Sequence, residues 1–135
     1  MSGKDSYSPL TLKLVNSLYV DAMLLADEAR SYFDNFSRGE RDLLEPMQRV
    51  TFSCESLKVT TRLMSLIAWL LTVKADASGE IDSNRRNGPA MRLGNAATSD
   101  FDAITMLPQD SLVVIKASIE LYRRPRAPDI KLAAT

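Results

Sequence analysis

The stretch "SCESLKVTTRLMSLIAWLLTVKA", residues 53–75, decides how this chain folds. Its apolar residues recur at two helical phases, whereas an ordinary surface helix needs only one. One series runs Leu43, Met47, Val50, Cys54, Leu57, Thr61, Met64, Ala68, Leu71, Ala75, with steps alternating between four and three. That is the heptad spacing of a helix packed lengthwise on another. A second series is Phe52, Val59, Leu63, Leu66, Leu70 and Val73. It lies roughly 160° from the first on a wheel of ~100° per residue. Two polar seams separate the series, one with Lys58, Arg62, Ser65 and Thr72, the other with Arg49, Ser56 and Thr60. A helix apolar on opposite sides needs cover on both.

The flanking sequence supplies the helices that give cover. Over 10–36, Leu14, Val15, Leu18, Tyr19, Ala22, Leu25, Ala26, Ala29, Tyr32, Phe33 and Phe36 share one broad face, and Pro9 suits its first turn. A break follows around Gly39, a residue suited to the left-handed position that ends many helices. The central helix is expected over 46–75, opening at Pro46. A third is expected over 108–124, started by Pro108 and Asp110 and stopped by Pro125 and Pro128. Its main stripe is Leu112, Ile115, Ile119 and Tyr122, with Val113, Val114 and Leu121 off it. Between them, 76–106 carries three glycines, three asparagines and a proline and reads as a mobile loop in which "DFDAITML" can form a short turn. Residues 125–135 read as a flexible tail.

These elements predict an all-α fold, an antiparallel three-helix bundle in a single domain. The central helix would be about 45 Å long and the third only about 25 Å, so the third cannot cover the whole of it. A two-fold homodimer buries the remainder, because identical patches meet with no further partner. The expectation is that the heptad series faces the bundle core, with Cys54 as a small apolar residue in it. Phe52, Val59, Leu63, Leu66, Leu70 and Val73 would then form the dimer interface. The alternative is that both series are intrachain core.

Composition removes several classes of function. The chain has 135 residues, with 17 basic and 17 acidic side chains. Zero net charge argues against direct nucleic-acid binding, which needs a basic surface. There is no histidine, which excludes a histidine-assisted triad and makes a zinc site very hard to build. One cysteine allows no intrachain disulfide. The N-terminus lacks a signal-peptide core, and the longest apolar run, residues 63–73, is well short of the roughly 20 needed to span a bilayer. The chain is expected in the cytoplasm, with no membrane partner, cofactor or metal. Glu28, Asp34 and Glu55 are available carboxylates, but no two share an evident pocket.

The run "SYFDNFSRGERDLLEPMQRVTFSCESLKVTTRLMSLIAWLLTVKADASGEI" resembles the RcdA family, the regulators of CtrA degradation of alphaproteobacteria. The resemblance centres on "YFD" at 32–34, "RVTFSCES" at 49–56, "TTRLM" at 60–64, "AWLL" at 68–71 and "GE" at 79–80, with a second island in "LPQDSLVVIKASIELYRR". It implies a helical homodimer without enzymatic activity, an adaptor that helps deliver protein substrates such as cell-cycle regulators to the ClpXP protease. Its partners would include a response-regulator co-adaptor similar to CpdR. The family's C-terminal tail matters to its function.

Candidate partner-binding residues follow. Arg62 lies in a polar seam seven residues after Glu55 and either makes a partner-facing or interchain ion pair or is a solvated arginine whose stem covers the edge of the core. Arg123, Arg124, Arg126 and Lys131 concentrate positive charge on the final stretch, which can engage a partner and order on contact. Trp69 borders the second series and suits either an interface anchor or core packing. A DNA-associated or other helical interaction regulator is the competing function; a recognition helix is not evident for it.

Overall fold

The computed structural model describes residues 7–79, 93–94 and 96–126. Its long helices are α1 (Pro9–Gly39) and α2 (Pro46–Ala77); a four-residue turn of helix, α3 (Phe101–Ile104), precedes α4 (Gln109–Arg123). Single 3-10 turns, Arg41–Leu43 and Arg124–Arg126, follow α1 and α4. The fold is all-helical, as expected, and the boundaries follow local chemistry. Ser8 caps α1 by accepting from the Thr11 amide at 3.0 Å, with Pro9 at the first helical position. Gln48 reaches back to accept from the Glu45 amide at 2.9 Å at the start of α2. α1 does end at Gly39, but not through a left-handed residue. Among the described residues, the glycine with positive φ is Gly79, at +78°, which closes α2.

α1 runs antiparallel to α2. Phe36 stacks on Phe52 at 4.5 Å near one end, and the Lys74 ammonium lies 4.3 Å over the Tyr19 ring near the other. The connection after α2 returns the chain to the start of that helix, where the Gln48 amide donates to the Met106 carbonyl at 3.0 Å. α4 therefore runs along α2 in the same direction, and Arg124 meets Asp21 of α1 at 3.5 Å.

The two series on α2 have exchanged roles. Phe52, Val59, Leu63, Leu66, Leu70 and Val73, expected at a dimer interface, are at most 2% exposed within the single chain. They are the intrachain core, joined by Ile67, Trp69 and Ala77 and covered by α1 and α4. The heptad series is the outward one: Met47, Leu57 and Met64 are 73, 68 and 58% exposed, and Val50, Leu71 and Cys54 are exposed with them. The reason is width. A helix that packs against two neighbours must bury a broad arc, whereas a strict heptad row is a narrow seam fitted to one lengthwise partner. Trp69 is core packing. In α4, Val114 and Leu121 are buried beside the expected stripe, Ile119 is half-buried and Val113 is exposed.

By length and composition α2 passes as a candidate membrane span, although its longest unbroken apolar run is short. Its inner face is the core of the bundle. Its flank carries Glu55 and Arg62, so core helix is the reading that the packing supports.

Tyr32 sits in an aromatic cluster with Phe33, Phe36 and Phe52. Its buried hydroxyl lacks a hydrogen-bond partner. Burial raises its pKa, and the charges of Asp110 and Glu40 push it the same way.

Two outcomes are expected. Leu66→Ala should cost about 2–5 kcal/mol in urea unfolding, whereas Leu57→Ala at a dilution that prevents association should change stability by under about 0.5 kcal/mol. Tyr32→Phe should be stabilising by about 1 kcal/mol at neutral pH, since it removes an unsatisfied hydroxyl. The native state holds the Tyr32 proton more tightly than the unfolded chain. Its contribution is therefore intact below the ordinary phenol value of about 10 and lost as pH rises through the native value. Tyr32→Phe should remove that alkaline component of the stability–pH curve.

Candidate functional site

Arg62 is 2% exposed and Glu55 is 3% exposed. Both lie on the flank of α2 that meets α4, roughly 120° around the helix from the outward heptad row. They hold residues 96–100, which cross this flank without regular secondary structure. The Ser99 hydroxyl joins the two charges: it donates to Glu55 Oε1 and accepts from Arg62 Nη2 at 2.7 Å. Arg62 also donates to the Ala97 carbonyl at 2.9 Å and to the Ser118 hydroxyl of α4 at 3.3 Å. Lys58 pairs with Glu55 at 2.9 Å and donates to the Thr98 carbonyl at 3.0 Å. The Tyr122 hydroxyl of α4 donates to the Gly94 carbonyl. Burial lowers the Arg62 pKa and Glu55 partly restores it.

The expected surface role of Arg62 is therefore corrected: its guanidinium faces its own chain. The spacing of Arg62 and Glu55 on one seam showed that they could act together. That Ser99 and Ser118 complete the set was not visible, because nothing local marks a serine 37 residues away as a partner.

The other expected partner-binding residues divide. Arg123 and Arg124 are exposed; Arg123 lies 3.7 Å from Glu120, and Arg124 pairs with Asp21 across to α1. The Arg126 side chain and Lys131 lie outside the described residues, as do residues 80–92 and 95 of the loop 76–106 and most of the tail. Tyr7, just before α1, is buried and donates to Asp76 at 2.5 Å, tying the entry of α1 to the end of α2. No group of three or more side chains able to hold a metal ion occurs among the described residues.

Removing Arg62 takes the guanidinium donors from the Ala97 carbonyl and from the Ser99 and Ser118 hydroxyls in a buried network, while Glu55 keeps Lys58. Arg62→Met should lower stability by about 3–5 kcal/mol. Because Ser99 bridges Arg62 and Glu55, adding Glu55→Gln should give a non-additive loss, a coupling energy of about 0.5–3 kcal/mol in a denaturant double-mutant cycle.

No curated protein matches the chain. Among solved structures, the crystal structure of RcdA from Caulobacter crescentus CB15 superposes with a TM-score of 0.68 and 26% identity, covering 88% of this chain and 91% of that one. The resemblance read from the "TTRLM" and "AWLL" islands thus extends to the whole fold. The family model described as a protein of unknown function, DUF1465, matches residues 8–134. The chain therefore belongs to this family of RcdA-like helical proteins.

Proposed function

We propose that this protein is a non-enzymatic adaptor of the cytoplasm that acts as a homodimer and helps deliver protein substrates to the ClpXP protease together with a CpdR-like co-adaptor. The observation that carries the reading is the outward face of α2. Apolar side chains follow one another along it from Met47 to Leu71, about 36 Å at 1.5 Å per residue. Soluble monomers rarely expose so long a patch, and a surface of this kind is the signature of protein–protein contact. The full-length likeness to RcdA supports the same class of function.

The rows on this face also suit a two-fold pair. Val50, Leu57, Met64 and Leu71 form a row of large residues, and Cys54, Thr61 and Ala68 form a row of small ones beside it. In an antiparallel pair, large residues of one copy fill the spaces over small residues of the other. The dimer seam thus moves from the residues first expected to the opposite side of the same helix.

Scaffolding would be the mechanism: one surface contacts the protease or its co-adaptor while another holds cargo, raising the local concentration of substrate. Neither a membrane nor nucleic acid enters as a direct partner in this reading. The separated positions of the acidic groups favour an interaction protein over a catalyst. Glu28 and Asp34 are exposed on α1, whereas Glu55 is committed to Lys58 and Ser99.

Pull-downs with ClpX, a CpdR-like protein and CtrA should recover ternary complexes, and deleting the gene should lengthen CtrA lifetime; an unchanged lifetime contradicts the adaptor role. Light scattering should give a dimer for the unmodified protein. The double variant Leu57→Asp, Met64→Asp should be a monomer at micromolar concentration with its helical circular dichroism retained. A monomeric unmodified protein contradicts the dimer.

A further inference from the structure

Residues 96–100 are held in a way that differs from ordinary loop packing. Two side chains of α2 donate to the segment's main-chain carbonyls, Arg62 to Ala97 and Lys58 to Thr98, and Tyr122 of α4 donates to the Gly94 carbonyl shortly before it. Of the segment's side chains, Ser99 alone enters the charged network, while Ala97, Thr98 and Asp100 face outward. Main-chain bonding with one inserted side chain is how extended peptides are recognised: the carbonyls give the hold and the inserted group sets the register.

Of the segment's apolar side chains Ala96 packs on the core and Ala97 is exposed, so its release uncovers one small side chain and costs far less than global unfolding. Release also exposes Arg62, Glu55 and Lys58 to water, so no charge is left dry and unpaired. A buried ionic network seldom adds stability over apolar packing of the same shape; its best-attested use is to fix a register or to serve a switch.

We propose that the seam between α2 and α4 is a groove for an extended polypeptide segment carrying a serine-sized hydroxyl, and that residues 96–100 occupy it in cis as an autoinhibitory strap. The incoming segment of a partner protein replaces the strap, takes the donors of Arg62 and Lys58 on its carbonyls, and places its hydroxyl between Glu55 and Arg62. The groove rests on the adaptor reading only in naming its occupant as cargo. A CtrA lifetime unaffected by the gene leaves the peptide result below standing, so the two failures are distinguishable.

The test uses a fluorescein-labelled peptide with the sequence of residues 96–101, titrated with the full chain and followed by anisotropy. A tethered strap competes at an effective concentration in the roughly millimolar range, so the unmodified protein should bind the peptide only weakly. Ser99→Ala loosens the strap but leaves the groove intact, and apparent affinity rises with the open fraction, by about tenfold. Combining Ser99→Ala with Arg62→Lys should abolish that gain, because the ammonium cannot make the forked contacts of the guanidinium.

A second measurement needs no variant. At several millimolar peptide, the Arg62 Nε–H and Ser118 amide resonances of the unmodified protein should shift, and a peptide with alanine in place of its serine should leave them unmoved. It decides alone if Ser99→Ala fails to fold. Equal affinity of Ser99→Ala and the unmodified protein, or resonances unmoved by the serine peptide, overturns the proposal.

Discussion

Taking a guanidinium out of water costs several kcal/mol unless its donors find acceptors. Arg62 sets that condition at the middle of the bundle. Its acceptors come from two separate parts of the chain: the Ala97 carbonyl and the Ser99 hydroxyl from the segment before α3, and the Ser118 hydroxyl from α4. One side chain thereby fixes where that segment crosses α2 and which part of α4 lies beside it. The apolar core alone would tolerate a slide of α4 along α2. The polar set does not, because a displacement of one turn takes the Ser118 hydroxyl away from Arg62.

The outward face of α2 and the Arg62 flank divide the labour of the helix. The inner arc builds the fold, with Leu63, Leu66 and Leu70 sealed against α1 and α4. The heptad row faces outward. The flank between them carries charge and binds the protein's own main chain. All three uses fit on one rod because an α-helix presents successive residues at ~100°, so contiguous sequence serves separate surfaces. This arrangement explains why "TTRLM" contributes to each: Thr61 and Met64 point outward, Leu63 inward and Arg62 to the flank.

The helices were largely legible in the sequence because prolines and caps punctuate them. Pro9, Pro46 and Pro108 mark starts, and the ends at Gly39 and Ala77 lie within three residues of the periodic limits. Which side of α2 faces inward was misread. Periodicity identifies phases but carries no label for the core, and the four-three spacing favoured the heptad row. The width of the other arc was the available signal, since Ile67 and Trp69 extend it into a surface too broad for a single-helix seam. The flank site was half legible. Glu55 and Arg62 share a seam by spacing, but Ser99, Ser118 and Tyr122 reach it through the return of the chain after α2, and local pattern is silent about that return.

α2 resembles a membrane span in length and composition and is joined to α1 by residues 40–45 alone. During synthesis, α1 leaves the ribosome first and is available before α2 is finished. Such sequence-local pairing is among the fastest of tertiary events. The order of elements thus gives the nascent greasy rod a companion at birth. A permuted chain that made α2 first would send it out naked, open to aggregation and to the machinery that sorts proteins into bilayers.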